Sequence, residues 1–226
     1  MGQNFQKRKP RQVMLEKGRA IVMGSMAAGS VRCYAAMVAA QKVYVDRNET
    51  RLPLRHSHHR YIIDGPNGAQ RLTIALQSGT HLMHTPMHAV RISEHGNWRH
   101  LHWGALYSAY GKSPYFDYIA PDLHDIIHGN QSSLLDFNTQ LQTLIIDFLD
   151  LPIEIITTDI TPEITAEAID LRGKIGGKKP DALAINTVPY HQVWAARHGF
   201  LPNLSILDLL MNTGRECIYT LLKSII

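Results

Sequence analysis

Three polar residues recur at helical spacing in an otherwise apolar segment near the end of the chain. The segment NLSILDLLMNTG, residues 203–214, contains Ser205, Asp208 and Asn212 at positions that fall on one helical face. A carboxylate is rarely buried unless it is paired or in use. This face is therefore either solvent-exposed or part of a site, and spacing alone favours neither reading.

A second candidate set lies in the aromatic stretch NWRHLHWGALYSAYGKSPYF, residues 97–116. His102 follows Trp98 by four residues and precedes Tyr110 by eight, so one helical face can carry all three. An imidazole beside aromatic rings could serve as a general acid or base next to a stacking platform for a ring-shaped ligand. The alternative is a core helix with a hydrogen-bonded histidine, which the usual burial of aromatic residues favours.

A third set lies in the loop that precedes the first one. Tyr190 and Gln192 carry hydrogen-bonding groups that could pair with Asp208 if the fold brings the two segments together. Such pairing would explain how a carboxylate survives inside an apolar helix.

The 13 histidines raise the question of a metal site. One cluster, residues 55–60, includes two arginines whose charge repels a cation, and His81, His84 and His88 lie around Pro86 without a HExxH motif. Surface or hydrogen-bonding roles are the better interpretation, and we predict no metal site. The glycine-rich segment 172–181 lacks the GxxxxGK[ST] pattern, so the sequence identifies no cofactor.

The elements that must position these residues follow an α/β pattern. Residues 19–46 read as strand, alanine-rich helix and strand, a Rossmann-like β-α-β start whose first loop would lie where open α/β sheets bind ligands. GPNG at 65–68 predicts a hairpin between two β-rich runs, and residues 88–93 could add a strand. We expect a single domain with a mixed central sheet flanked by helices.

Charge and length divide the chain into a tail and a body. Of the net charge of +4, the first 19 residues contribute +5, from six basic residues and one acidic residue, which leaves −1 for the remainder. We predict a basic flexible tail over 1–18 and one domain over 19–226. A basic tail could bind nucleic acid, but a solvated tail is the simpler interpretation.

The same composition indicates a compartment. No apolar run approaches the roughly 20 residues of a membrane span, and no signal peptide is recognisable. The two cysteines are too few for a disulfide framework. We therefore expect a cytoplasmic protein without a membrane span, and the sequence does not indicate its oligomeric state.

Four motifs together resemble the WbqC-like protein family, over about residues 19–214. They are HHRYIIDGPNGAQRLTIAL, NWRHLHWGALYSAYGKSPYFDYIAPDL, LLDFNTQL and YHQVWAARHGFLPNLSILDLLMNTG. The resemblance implies a mixed α/β domain in a bacterial protein linked to surface-polysaccharide biosynthesis. The family motif residues matched here are Arg60, Asn67, Gly68, Trp98, His102, Tyr110, Phe116, Tyr190, Gln192, Asp208, Asn212 and Gly214.

The resemblance also implies a transferase-type enzyme acting on a small molecule such as a nucleotide sugar. In that scheme His102 moves a proton, Asp208 and Asn212 orient it or the substrate, and Arg60 holds an anionic group. Trp98 and Tyr110 form a stacking wall, while Asn67, Tyr190 and Gln192 complete the predicted substrate site. The resemblance favours burial of the Asp208 stripe in a site or a polar network.

The sequence departs from the family pattern in two places. Where relatives carry a stretch resembling QPxYFP, this chain has GSMAAGSVRCY, and His58-His59-Arg60 replaces an NRxxI-like motif. The first change favours an alternative: a non-catalytic binding or scaffold protein that keeps the fold. A nucleic-acid binder that uses the basic tail is the third hypothesis.

Overall fold

A parallel sheet forms the centre of the protein. The computed structural model describes residues 15–50, 58–78, 84–175 and 185–225. The central sheet has the strand order β5-β2-β1-β6, and each of its three pairings is parallel. The strands of the described chain are β1 (Ile21–Gly24), β2 (Lys42–Asp46), β3 (Arg60–Gly65), β4 (Gly68–Thr73), β5 (Glu154–Thr158) and β6 (Ile169–Asp170).

The order of the parallel strands reverses once. The chain passes from β1 to β2 and on to β5 in one direction, and β6 then returns to the opposite side of β1. The boundary between β1 and β6 is therefore the topological switch point of the sheet. Ligands of open α/β sheets bind outside the carboxyl ends of the strands at such a point.

Helices cover the sheet. Ser133 caps α4, because its hydroxyl accepts a hydrogen bond from the Asp136 amide. The helices are α1 (Val31–Ala40), α2 (Trp98–Tyr110), α3 (Phe116–His128), α4 (Leu134–Leu149), α5 (Pro162–Glu167), α6 (Ala195–His198), α7 (Ile206–Thr213) and α8 (Cys217–Ser224).

The α/β class is confirmed, and so is the parallel β-α-β start formed by β1, α1 and β2. The hairpin is also confirmed: β3 and β4 pair antiparallel, with Pro66 and Asn67 in the turn. This hairpin is a separate two-stranded sheet, so the antiparallel part of the expected mixed sheet does not join the central one. The closer likeness to a Rossmann fold stays a prediction.

The strand expected over residues 88–93 is not formed. A short 3₁₀ turn occupies Met87–Ala89, and beyond it only isolated bridges join Leu76 to Ile92 and Arg91 to Ser133. Pro86 precedes the turn with an extended backbone, and the bridges are all the pairing that this segment makes. The apolar segment DALAIN, residues 181–186, predicts a further short strand, and this segment lies largely outside the described residues.

The polar stripe on α7 is buried. Ser205, Asp208 and Asn212 are 2%, 0% and 6% exposed, among apolar neighbours that are also buried. The Ser205 hydroxyl donates to the Ala28 carbonyl at 2.8 Å. The question raised by residues 203–214 is thereby answered, because the stripe faces the interior and not water.

The boundary predicted between tail and domain at residue 19 stays a prediction. Within the described residues, Gly18 donates a backbone hydrogen bond to Ala39, at the end of α1. Residues 1–14 lie outside the described part of the chain. No helix in the described ranges is long and apolar enough to cross a membrane.

Two glycines allow a matched test of this fold. Gly214 ends α7 with φ +54°, and a Cβ there would collide with the Tyr115 ring, whereas a Cβ on Gly104 inside α2 would meet nothing within 4 Å. We expect Gly214→Ala to lower the free energy of unfolding by about 2–4 kcal/mol. Gly104→Ala should raise it by about 0.5–1 kcal/mol through helix propensity. Urea titration measures both, and equal effects would contradict the described end of α7.

Candidate functional site

Polar side chains gather at the carboxyl ends of β1, β2 and β6. Gly24 and Asp46 are the last residues of β1 and β2 and lie side by side in register, and Asp170 ends β6. We call the group the strand-end cluster. It comprises Gly24, Ser25, Asp46, Glu49, His58, Asn138, Asp170 and Arg172.

Arg172 joins two of the strand ends. Its guanidinium binds Asp170 through two hydrogen bonds of 3.0 and 2.8 Å and also donates to the Asp46 carboxylate. Burial opposes ionisation of Asp170, but its hydrogen bonds to Arg172 outweigh that effect and lower its pKa. Arg172 therefore favours the charged form of Asp170 and links the ends of β2 and β6, which lie on either side of β1.

His58 and Asn138 close the cluster over the end of β1. The His58 Nδ1 lies 2.5 Å from the Ser25 carbonyl oxygen, and because a carbonyl only accepts, this nitrogen carries the proton. The Asn138 amide nitrogen donates to the Ser25 hydroxyl at 2.9 Å and to the His58 carbonyl at 2.8 Å. The loop after β1 is thus fixed by α4 and by the residue that leads into β3.

Glu49 is the unusual member of the cluster. The residue is nearly buried, at 8% exposure, and its Oε2 has no hydrogen-bond partner among the residues that the structure describes. Burial raises its pKa to about 7, and the negative charge of Asp46 adds to that effect. A Cβ on Gly24 would collide with both Glu49 Oε2 and His58 Cε1, so the two side chains converge over this glycine.

This arrangement is suited to proton transfer. A carboxylate with a pKa near the working pH is an effective general base, and burial next to like charges is the usual way to achieve it. Among the described residues, no three histidine, cysteine, aspartate or glutamate side chains are grouped to hold a metal ion.

A second polar cluster contains several of the residues predicted from sequence. Asp208 accepts hydrogen bonds from the hydroxyls of Tyr110 and Tyr190, at 2.8 and 2.7 Å, and from the Gln192 amide at 3.1 Å. The Asn212 amide donates to the Asp208 backbone carbonyl at 2.7 Å. The predicted pairing of the loop with Asp208 is thus present, and it fastens residues 190–201 to α2 and α7.

Two further residues of this Asp208 cluster were not expected. The Tyr110 hydroxyl accepts from the Asp64 backbone amide at 3.1 Å, and the Asp64 carboxylate lies 3.3 Å from His198 Nε2. Within the described part of the chain, both oxygens of Asp64 lack hydrogen bonds although the residue is fully buried. Burial and the charge of Asp208 raise the pKa of Asp64 to about 6, and His198 opposes this shift. Burial also raises the pKa of Asp208, against its three donors.

His102 lies in a different part of the core. Its Nδ1 is 3.2 Å from the Tyr61 hydroxyl, and its ring meets the Trp98 ring edge-on at 5.0 Å. Burial lowers its pKa to about 4, so the ring is neutral at pH 7. His102 precedes Tyr110 by roughly 12 Å along α2. No hydrogen bond within the described chain joins His102 to Asp208, and their catalytic roles stay predictions.

The other predicted substrate residues are spread over the molecule. Trp98 and Tyr110 are buried in the core, so neither ring forms a surface platform in this conformation. Arg60 is half-buried at the start of β3, close in sequence to His58, while Asn67 is exposed in the hairpin turn. The structure therefore places Tyr110, Tyr190, Gln192 and Asn212 around Asp208. Asn67 does not belong to this group.

Glu49 generates a prediction about stability and pH. The pKa of Glu49 in the folded protein is about 7, above the usual 4.5. The contribution of the protonated carboxyl group to folding stability is therefore complete below pH 4.5 and is lost as the pH rises through 7. We expect Glu49→Gln to raise the free energy of unfolding by about 1–3 kcal/mol at pH 8, with a smaller gain near pH 5. Denaturant titrations at both pH values measure this. A variant that is less stable than wild type at pH 8 would contradict it.

The Asp208 cluster predicts unequal effects of the same substitution, aspartate to asparagine, at two positions. Asp208→Asn replaces an oxygen that accepts hydrogen bonds with an amide that donates, so we expect a loss of about 2–4 kcal/mol. Asp64→Asn removes a carboxylate without hydrogen bonds, so the change should stay within about 1 kcal/mol. Thermal and urea unfolding at pH 8 compare the two variants. A larger loss for Asp64→Asn would show that the assignment of donors is wrong.

Comparison with known proteins agrees with the sequence motifs. The family model described as the WbqC-like protein family matches residues 34–179, more than half of the chain. This range includes most of the strand-end cluster, whereas Asp208 and its loop partners lie beyond it. Comparisons with curated proteins and with solved structures give no match. On the strength of the family match, this chain belongs to the WbqC-like protein family.

Proposed function

We propose that this protein is a transferase-type enzyme of surface-polysaccharide or sugar-nucleotide metabolism, with its ligand at the strand-end cluster. One observation carries the proposal: a buried glutamate, with an oxygen that has no partner within the described ranges, lies at the carboxyl ends of parallel strands, beside the switch point of the sheet. The choice of a sugar nucleotide as donor comes from the family resemblance alone.

Glu49 is the proton acceptor in this proposal. A hydroxyl or amino group of the acceptor loses its proton to Glu49 as its oxygen or nitrogen attacks the anomeric carbon of the donor. The bond from that carbon to the nucleotide breaks, and the nucleotide leaves with the electron pair. Because the pKa of Glu49 is about 7, the carboxylate form needed for this step is well populated at neutral pH.

The neighbours of Glu49 have supporting roles. The positive charge of Arg172 lowers the pKa of Glu49 and so partly offsets the effect of Asp46 and Asp170, which raise it. Arg60 begins the strand that follows His58, and we assign it to an anionic group of the donor because guanidinium groups match phosphate geometry. Tyr190 and Gln192 fasten their loop to Asp208, and Asn212 binds the Asp208 backbone within α7. The contacts of Asn67 and Trp98 with substrate remain expectations.

The alternative proton-transfer pair is His102 with Asp208, and variants separate it from Glu49. Glu154 is a matched control for Glu49, because it is exposed at the amino end of β5, at the far edge of the sheet from the strand-end cluster. His102→Gln tests the imidazole in the same assay. The protein is incubated with UDP-, GDP-, dTDP- and CMP-linked sugars and a panel of acceptor sugars, and released nucleotide is measured by chromatography.

We expect nucleotide release by the wild type and by Glu154→Gln, and a loss of about 100-fold or more in Glu49→Gln. The wild-type rate should rise with pH through about 7, because the base must be ionised. A loss in His102→Gln with full activity in Glu49→Gln would transfer the role to His102. No release by the wild type with any donor would contradict the transferase proposal.

One observation favours the non-catalytic alternative. The loop after β1, where relatives carry a proline and aromatic residues, contains Met26, Ala27 and Ala28, and all three are buried in the core. A loop filled with small apolar side chains offers few groups to a substrate. Binding of a nucleotide sugar without turnover, detected by a thermal shift, would support this alternative over the enzyme.

A further inference from the structure

We infer that the strand-end cluster accepts hydrogen bonds from an amino or hydroxyl group of the acceptor substrate. We infer also that the cluster excludes the phosphate groups of the donor. This inference deepens the proposed function and rests on its assignment of the ligand site. It concerns which substrate occupies the cluster, and binding alone can test it.

The first argument is the unmet hydrogen-bonding capacity of the cluster. Among the described residues, two buried oxygens here lack a partner: Oε2 of Glu49 and Oδ1 of Asn138. The two residues are 8% and 1% exposed. The orientation of the Asn138 amide is determined by the His58 carbonyl, which accepts only from the amide nitrogen. Both unmet groups are therefore acceptors, and a buried acceptor without a donor costs about 1–3 kcal/mol.

The second argument is charge. The Arg172 guanidinium binds both Asp46 and Asp170, and the exposed Lys174 ammonium donates to the Asp170 backbone carbonyl. With ionised Glu49, the three carboxylates and these two cations carry a net charge of −1. A phosphate group would bring further negative charge and more acceptor oxygens to this point. Repulsion and unmatched hydrogen bonds both oppose its binding there.

An amine fits both requirements. A protonated amino group brings three N–H donors and one positive charge, so it can satisfy Glu49 Oε2 and offset the net charge of the cluster. A sugar hydroxyl brings one donor and no charge, so it should bind more weakly at the same place. The preferred ligand class is accordingly an amino sugar.

The test is calorimetric binding to the full-length protein at pH 7.5. Glucosamine, galactosamine and mannosamine are the amine probes, their N-acetyl forms are the neutral controls, and inorganic phosphate is the anionic control. We expect at least one amine to bind about tenfold more tightly than its N-acetyl form, and Glu49→Gln to lower that affinity about tenfold. Glu154→Gln should bind as the wild type does. Thermal unfolding verifies that each variant is folded.

Phosphate binding that is lost in Glu49→Gln would overturn the inference, and so would amine affinities that are equal in wild type and Glu49→Gln. Amine binding that depends on Glu49 would support it even if no donor is turned over, in which case only the proposed transferase activity fails. Nucleotide release without Glu49-dependent binding of an amine would instead support the transferase activity and refute an amino sugar as the acceptor.

Discussion

The desolvation of Glu49 is the constraint on which the candidate site depends. Its carboxyl group is held out of water at the end of the parallel sheet, with one oxygen unpartnered and two further carboxylates close by. Such a group costs stability when it is ionised, because burial and like charge both oppose the charged form. Proteins tolerate this arrangement where it is used, and perturbed carboxyl groups concentrate at functional sites for that reason.

The rest of the fold positions that group. Parallel pairing of β1, β2 and β6 brings Gly24, Asp46 and Asp170 to one end of the sheet, and Arg172 links the two strands that flank β1 there. The absence of a side chain on Gly24 leaves the space into which Glu49 and His58 converge. The Asp208 cluster serves a different purpose in this account, since its hydrogen bonds fasten the 190–201 loop and satisfy a carboxylate within an apolar helix.

The sequence predicted regular elements better than it predicted the site. Hydrophobic periodicity and turn residues predicted β1, α1, β2 and the hairpin. The helical spacing of polar residues on α7 led to the Asp208 network. The strand-end cluster was missed because its members are far apart in sequence and meet only through parallel pairing. Asp46 could have been found as the last residue of a predicted strand, whereas β6 has two residues and gives no periodic signal.

The most direct test of this account is the titration of Glu49 itself. The ¹³C signal of its side-chain carboxyl group, assigned by its absence in Glu49→Gln, can be followed by NMR between pH 3 and 9. The account predicts a midpoint near 7, well above the ordinary glutamate value of 4.5. A midpoint close to 4.5 would show that the carboxyl group is solvated, and would contradict the assignment of Glu49 as a buried proton acceptor.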